Sequence, residues 1–326
     1  MKKIILPIIL VVSVSIFAIW NIQKDRSETD LQRIVINEAA RTLLYLPMYH
    51  AISRGYFADE GLEVVVMTGG SAANSFAAMM SGEAMFALAD PMYVPIAREK
   101  AADAKVVGQV VGRVAIWMVG MDATISTVTP DILRNKTVST HQRPMSAYTF
   151  TTRLLNQMNL EIDKDVRLIA GKPGSELPPF LQRSSDFMVS VEPNVSIAVA
   201  QGAHVVHSFA TEYQDLILSA LMSRESTIIH QKELVDRVLR AFERAMKHAR
   251  ENPEESLETC KQYFPQIDEA VAKLAVQRLI DEQVIPNTTK ISRRSWDKAI
   301  QVRIDAGDLQ EYAPIESSVI ASSIAD

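Results

Sequence analysis

The chain has 326 residues, 48% of them apolar and 22% charged, with 12 glycines, 14 prolines and a formal charge of −5. That composition excludes collagenous, disordered and disulfide-rich identities, and the length allows two domains of roughly 100–200 residues with a sizeable core. The single cysteine, Cys260, excludes an internal disulfide and a cysteine metal cluster, and an acidic balance without a long Lys/Arg run argues against a nucleic-acid partner.

Met1-Lys2-Lys3 precedes an apolar stretch from Ile4 to Trp20, and the sequence turns polar at Asn21. Charge ahead of an apolar run interrupted only by Pro7 and two serines predicts an export signal in residues 1–26, either a signal peptide or a membrane anchor. The run holds about 17 residues, the lower bound for a span, and no small-residue pair marks a cleavage site. This favours an uncleaved helix anchored in the inner membrane, with the rest of the chain extracytoplasmic.

Beyond it the pattern alternates. Arg33–Asn37 reads as a buried strand, Leu46–Phe57 as a helix, Leu62–Met67 as a strand, Gly69-Gly70-Ser71 as a tight turn, Ala72–Met80 as a helix and Met85–Ala89 as a strand. Strands alternating with helices predict a parallel sheet covered on both faces. A helix over Pro95–Ala102 and strands at Lys105–Val111 and Ile116–Gly120 follow. The middle repeats this grammar: short helix Pro130–Leu133, strand Lys136–Thr140, helix Ser146–Met158, strand Val166–Ile169, short helix Leu177–Arg183 and strand Asp186–Val191, which runs into Glu192-Pro193. From Lys232 the chain is helical, with Val235, Val238, Phe242, Ala245 and Ala249 on one face and a stop at Asn252-Pro253. Two α/β units with a helical tail and no long linker predict two lobes with a ligand cleft between them.

The segment from Tyr45 through Leu46-Pro47-Met48-Tyr49 and Arg54-Gly55-Tyr56-Phe57 to Gly61-Leu62-Glu63-Val64 resembles the opening signature of the substrate-binding proteins of ABC importers for nitrate, sulfonates, bicarbonate and thiamine precursors. The resemblance continues through Gly69-Gly70-Ser71, Ser81-Gly82-Glu83-Ala84-Met85-Phe86-Ala87, Pro130–Val138, Glu192-Pro193 and Asn252-Pro253-Glu254-Glu255, covering roughly residues 33–265. Met85 stands where that family usually has Asp, and Asn135 where it has Gly. The resemblance implies a two-lobed type II periplasmic-binding-protein fold, with residues 27–112 plus 208–326 as lobe I and 113–207 as lobe II. It places the hinge crossings near Gly112–Ile116 and Val205–Thr211. It also implies a small solute as ligand, an ABC permease with its ATPase as partners, hinge closure as mechanism, and no cofactor.

In parallel sheets, ligands sit beyond the carboxyl ends of the strands. That rule selects Glu38, Arg41 and Tyr45 after the first strand, Gly70 and Ser71 after the second, and Asp90 after the third. In the second unit it selects Arg143, Ser146, Ala147 and Glu192, with Trp117 as a stacking candidate beside Tyr45 and Tyr148. A helix start after Gly70-Ser71 offers free N–H groups to an oxyanion, and a guanidinium such as Arg143 can grip one through two hydrogen bonds. Glu38 and Asp90 would pair with nearby arginines or accept from a ligand amino group. A small anion is expected ahead of a pyrimidine.

Other chemistry is set aside. His204 and His207, three apart in a strand, point to opposite faces. Ser295-Trp296-Asp297-Lys298 lacks the companion motifs of penicillin-recognising enzymes, and Gly171-Lys172-Pro173-Gly174-Ser175 breaks the order of a phosphate loop. Relatives of the fold include a pyrimidine synthase of thiamine biosynthesis, but that enzyme carries a cysteine-rich motif absent here. A sensor reporting solute to a membrane receptor is the other alternative.

Overall fold

Alternating burial of Ile34 and Ile36 builds the first strand, β1 (Gln32–Glu38), in a computed structural model that describes residues 31–325. The segment 1–26, expected as signal or anchor, lies outside the described residues. Among the described residues, no helix is long and apolar enough to cross a membrane.

β1 pairs in parallel with β2 (Leu62–Thr68) and β3 (Phe86–Ala89), so that Ile36 faces Val66 on one side and Phe86 on the other. β4 (Lys105–Val111) closes this sheet only through β10 (Ser219–Ser223), which runs antiparallel to both β3 and β4, giving the order β2-β1-β3-β10-β4. The second sheet has the order β7-β6-β8-β5-β9, from β5 (Trp117–Gly120), β6 (Lys136–His141), β7 (Val166–Gly171), β8 (Phe187–Ser190) and β9 (His204–Ser208). Here β6 is parallel to β7 and β8, whereas β5 is antiparallel to β8 and β9.

The expected parallel pairing holds for β1, β2 and β3, but each sheet as a whole is mixed. Each reversed strand lies beside a crossing between lobes, at residues 112–116 before β5 and 209–218 between β9 and β10. A chain re-entering a sheet from the other lobe meets the strands head-on, and β10, wholly buried along its length, left no alternating pattern to read.

The helix expected over Leu46–Phe57 is two. Leu46–Ser53 ends at Arg54, Gly55 takes φ 73°, and a single turn Tyr56–Asp59 follows. Asn135, in the family's glycine position, adopts φ 62°, a left-handed conformation that Asn tolerates better than most side chains. Helix Lys232–Glu251 buries Leu234, Val235, Val238, Ala241, Phe242, Ala245, Met246 and Ala249, a stripe at helical spacing. Phe242 meets Phe57 edge to face at 5.5 Å, which seats this helix on lobe I. Helices Pro253–Tyr263, Glu269–Asp281 and Arg293–Asp305 continue the tail.

Candidate functional site

β1, β2 and β3 in one lobe, and β6, β7 and β8 in the other, end in loops that face each other. Thr42 Oγ1 donates to the Glu192 carbonyl at 3.1 Å, and Ser146 Oγ lies 3.5 Å from Asp90 Oδ2. The selected residues thus form one seam, yet most are already answered by protein partners.

In lobe I, Glu38 is fully buried. It accepts from the Tyr49 hydroxyl in a short hydrogen bond and from Thr68 Oγ1 at 2.8 Å, and Arg41 Nε stands 3.5 Å away. Burial raises its carboxyl above the usual carboxylate range, opposed by Tyr49, Thr68 and Arg41. Arg41 keeps nearly half its side chain in solvent and lies 5.4 Å from the Tyr49 ring. Tyr45 is buried, its hydroxyl 3.2 Å from Ser219 Oγ, which also donates to the Ala89 carbonyl at 3.0 Å.

The Gly69-Gly70-Ser71 turn starts helix Ala72–Ser81. Ser71 caps it by accepting from Asn74 N at 3.1 Å, which leaves the N–H groups of the first turn directed out of the helix. Gly70 has φ 76° with open space around it. Under the turn, Ser75 Oγ donates to Asn37 Oδ1 at 2.7 Å.

The C-terminal helices reach into the seam. Arg303, on helix Arg293–Asp305, forms a short ion pair with Asp90, a 3.0 Å pair with Asp308 and a 3.5 Å contact with Thr149 Oγ1. Arg278, on helix Glu269–Asp281, places Nε 2.7 Å from Glu192 Oε1. Glu192 is wholly buried and also accepts from Ser196 N at 3.0 Å and Ser196 Oγ at 2.9 Å. Burial raises its carboxyl, and Arg278 and Ser196 pull the other way. Glu282 accepts from Trp117 Nε1 at 2.9 Å and from Ser208 in a short bond.

Trp117 is therefore covered rather than exposed as a stacking face: it is buried in β5, with the Arg278 guanidinium 5.8 Å from its ring. Arg143 is exposed in the loop after β6, 5.6 Å from the Tyr148 ring, while Ser146 and Ala147 open helix Ser146–Gln157. His204 lies 3.2 Å from the Ile125 carbonyl and His207 lies 2.8 Å from Glu212, so the two histidines have separate partners.

Sequence reasoning missed Arg278, Glu282 and Arg303, together with a group in lobe II: His141, Glu176, Ser190 and Asn194. A signal existed for two of them. Arg278 sits beside Ala275 and Leu279, and Arg303 beside Ile300 and Val302, so each is a cation on the apolar stripe of its helix.

The seam is closed. A cavity of about 10 Å³ beside Asp90, Ser146 and Arg303 has room for about one water. A roomier cavity, about 310 Å³, is lined by Met121, Ile125, Lys136, Arg183, Asp186 and Phe187 at the opposite edge of the second sheet. It lies where β6 and β8 begin, away from the edge where strand-end ligands sit.

Two mixed α/β lobes, crossed twice by the chain and closed on a polar seam at their strand ends, match the periplasmic-binding-protein fold. Solved structures agree. The periplasmic aliphatic sulphonate-binding protein SsuA from Escherichia coli superposes with a TM-score of 0.71 at 17% identity, over 88% of this chain and 92% of that one. The periplasmic nitrate-binding protein NrtA from Synechocystis PCC 6803 gives 0.60 at 15% identity, over 74% of this chain and 69% of its own.

The chain belongs to the NMT1/THI5-like family, whose model matches residues 44–256. Among curated proteins it is 19% identical over 310 residues to YtlA of Bacillus subtilis (strain 168), named as a binding protein, covering 94% of this chain and 92% of that one.

Proposed function

We propose that this chain is an extracytoplasmic solute-binding protein of type II architecture that delivers a small molecule to an ABC importer by hinge closure. The observation that carries this reading is the seam, where strand-end loops of both lobes converge and are tied across by Thr42–Glu192, Ser146–Asp90 and Arg278–Glu192. A two-lobed fold with two crossings opens by rotation at the crossings, and a solute bound between the lobes favours the closed form. Membership of the NMT1/THI5-like family and the binding proteins among its relatives support the same reading.

In this reading the ligand is nitrate, a sulfonate, a carboxylate or a pyrimidine precursor of thiamine. The N–H groups after Gly70-Ser71, the helix start at Ser146-Ala147, and the guanidinium groups of Arg41 and Arg143 hold its oxyanion, with Glu38, Tyr45, Asp90, Trp117 and Glu192 framing the seam. The permease and its ATPase are the partners, and residues 1–26 hold the protein at the inner membrane.

A thermal-shift screen against nitrate, bicarbonate, alkanesulfonates, aromatic carboxylates and aminopyrimidines tests it, because a solute that binds only the folded state raises Tm. A rise with one class is expected. A protein indifferent to all of them, at concentrations up to millimolar, would overturn the reading.

A further inference from the structure

Four carboxylates stand at the strand-end edges, and they are not equivalent. Glu38 faces Arg41, Asp90 faces Arg303 and Glu192 faces Arg278. Glu176 has no arginine or lysine within ion-pair distance among the described residues; its one ionic neighbour is His141, with Nε2 at 3.3 Å. The donors around it crowd onto a single oxygen. Oε1 accepts from Ser190 Oγ at 2.5 Å and Asn194 Nδ2 at 2.7 Å and lies against His141, while Oε2 is buried without a hydrogen-bond partner.

Glu176 is 1% exposed, so that oxygen has given up water and gained nothing in exchange. Burial pushes the carboxyl up, but the bonds and charge from His141 and Ser190 outweigh it and hold the group at about 2. It is a carboxylate at neutral pH. Its place in the fold is informative too. His141 ends β6, Ser190 ends β8, Asn194 begins the next helix, and Glu176 precedes the helix after β7. All four lie at the strand-end edge of the second sheet, and Ser190 and Asn194 flank Glu192, whose carbonyl accepts from Thr42 of lobe I.

We propose that Glu176 Oε2 is the lobe II recognition point for the solute, and that the solute presents an N–H donor there: a protonated amine, an amidine or an aromatic amino group. The ligand takes the place that an arginine fills at the other three carboxylates. This rests on the binding-protein reading and narrows it, since a solute carrying only anionic groups would meet an ionised carboxylate in lobe II.

The test is calorimetric titration of the full chain with matched pairs that differ in the amino group: taurine against ethanesulfonate, β-alanine against propionate, 4-aminopyrimidine against pyrimidine. At least one amino compound is expected to bind roughly tenfold or more tighter than its partner, the scale of a charge-assisted hydrogen bond, and Glu176→Gln is expected to erase that difference. Equal binding within every pair would overturn the inference, as would preference surviving in Glu176→Gln, which would assign recognition of the amino group to another residue. Anions that bind while every amino compound fails would also overturn it and leave the binding-protein reading standing. If neither kind binds, both fall. The preference within each pair is read on the unaltered protein, so that part of the test stands even where Glu176→Gln fails to fold.

Discussion

Arg278 Nε lies 2.7 Å from Glu192 Oε1, joining a helix of the C-terminal tail to the loop after β8. Glu192 is fully buried and Arg278 mostly so, with 16% of its side chain exposed, so removing either partner leaves a charge in a poor environment. Arg278→Ala is expected to lower stability by about 2–4 kcal/mol in urea unfolding. A cost below half a kilocalorie would show that Ser196 alone satisfies Glu192.

The Asp90–Arg303 pair ties a lobe I loop to the C-terminal tail, and Ser146 and Thr149 of lobe II touch the same two side chains. Arg303→Met should favour the open form in the absence of solute, read as a larger radius of gyration in small-angle scattering. An unchanged radius would assign closure to the Glu192 and Glu282 contacts instead.

His50 is wholly buried, with Nε2 2.9 Å from His248 Nδ1 and Nδ1 2.8 Å from Thr259 Oγ1. Burial, His248 and Arg54 lower its pKa to about 4 from 6.5. Below 6.5 the unfolded chain takes up a proton that the folded protein refuses, so acid favours unfolding. Stability is expected to fall between pH 6.5 and about 4 by up to about 3 kcal/mol from this residue, and to be insensitive to it above 6.5. His50→Gln should flatten that slope in unfolding curves; an identical slope would locate the acid sensitivity elsewhere.

Two adjacent glycines should respond differently. A Cβ on Gly69 would sit 2.7 Å from Ser75 Oγ and 2.8 Å from Asn37 Oδ1, inside the hydrogen bond beneath the turn. Gly70 has free space but φ 76°, so Gly70→Ala costs only backbone strain, roughly 1 kcal/mol. Gly69→Ala is expected to cost more, about 1–3 kcal/mol, with thermal melts ranking the two.

Arg143 is exposed after β6, and the one contact described for it is with the Tyr148 ring. If it grips an oxyanion, Arg143→Ala should weaken the anion found in the screen by about 1.5–3 kcal/mol, roughly 10- to 100-fold in Kd, with Tm unchanged. An unaltered Kd would remove Arg143 from the site.

Most strands and helices were legible from local pattern, because periodicity of 2 or 3.6 is written in consecutive residues. Ser71 as helix cap, the stop at Asn252-Pro253 and the family motifs from Tyr45 to Val64 belong to that local record. So does the placing of Glu38, Asp90, Ser146 and Glu192 at strand ends, which needed only the strand boundaries and a rule about parallel sheets.

What those side chains touch was decided by tertiary structure. Glu192 meets Arg278 across 86 positions, Trp117 meets Glu282 across 165, and Asp90 meets Arg303 across 213. A pairing at such separation leaves no trace in either neighbourhood, so the sequence alone offered Trp117 as a stacking candidate and Glu192 as a strand-end contact for the ligand. The antiparallel entry of β10 and the bare Oε2 of Glu176 were hidden for the same reason: strand direction in a sheet, and the number of donors around a buried oxygen, exist only once both lobes have folded.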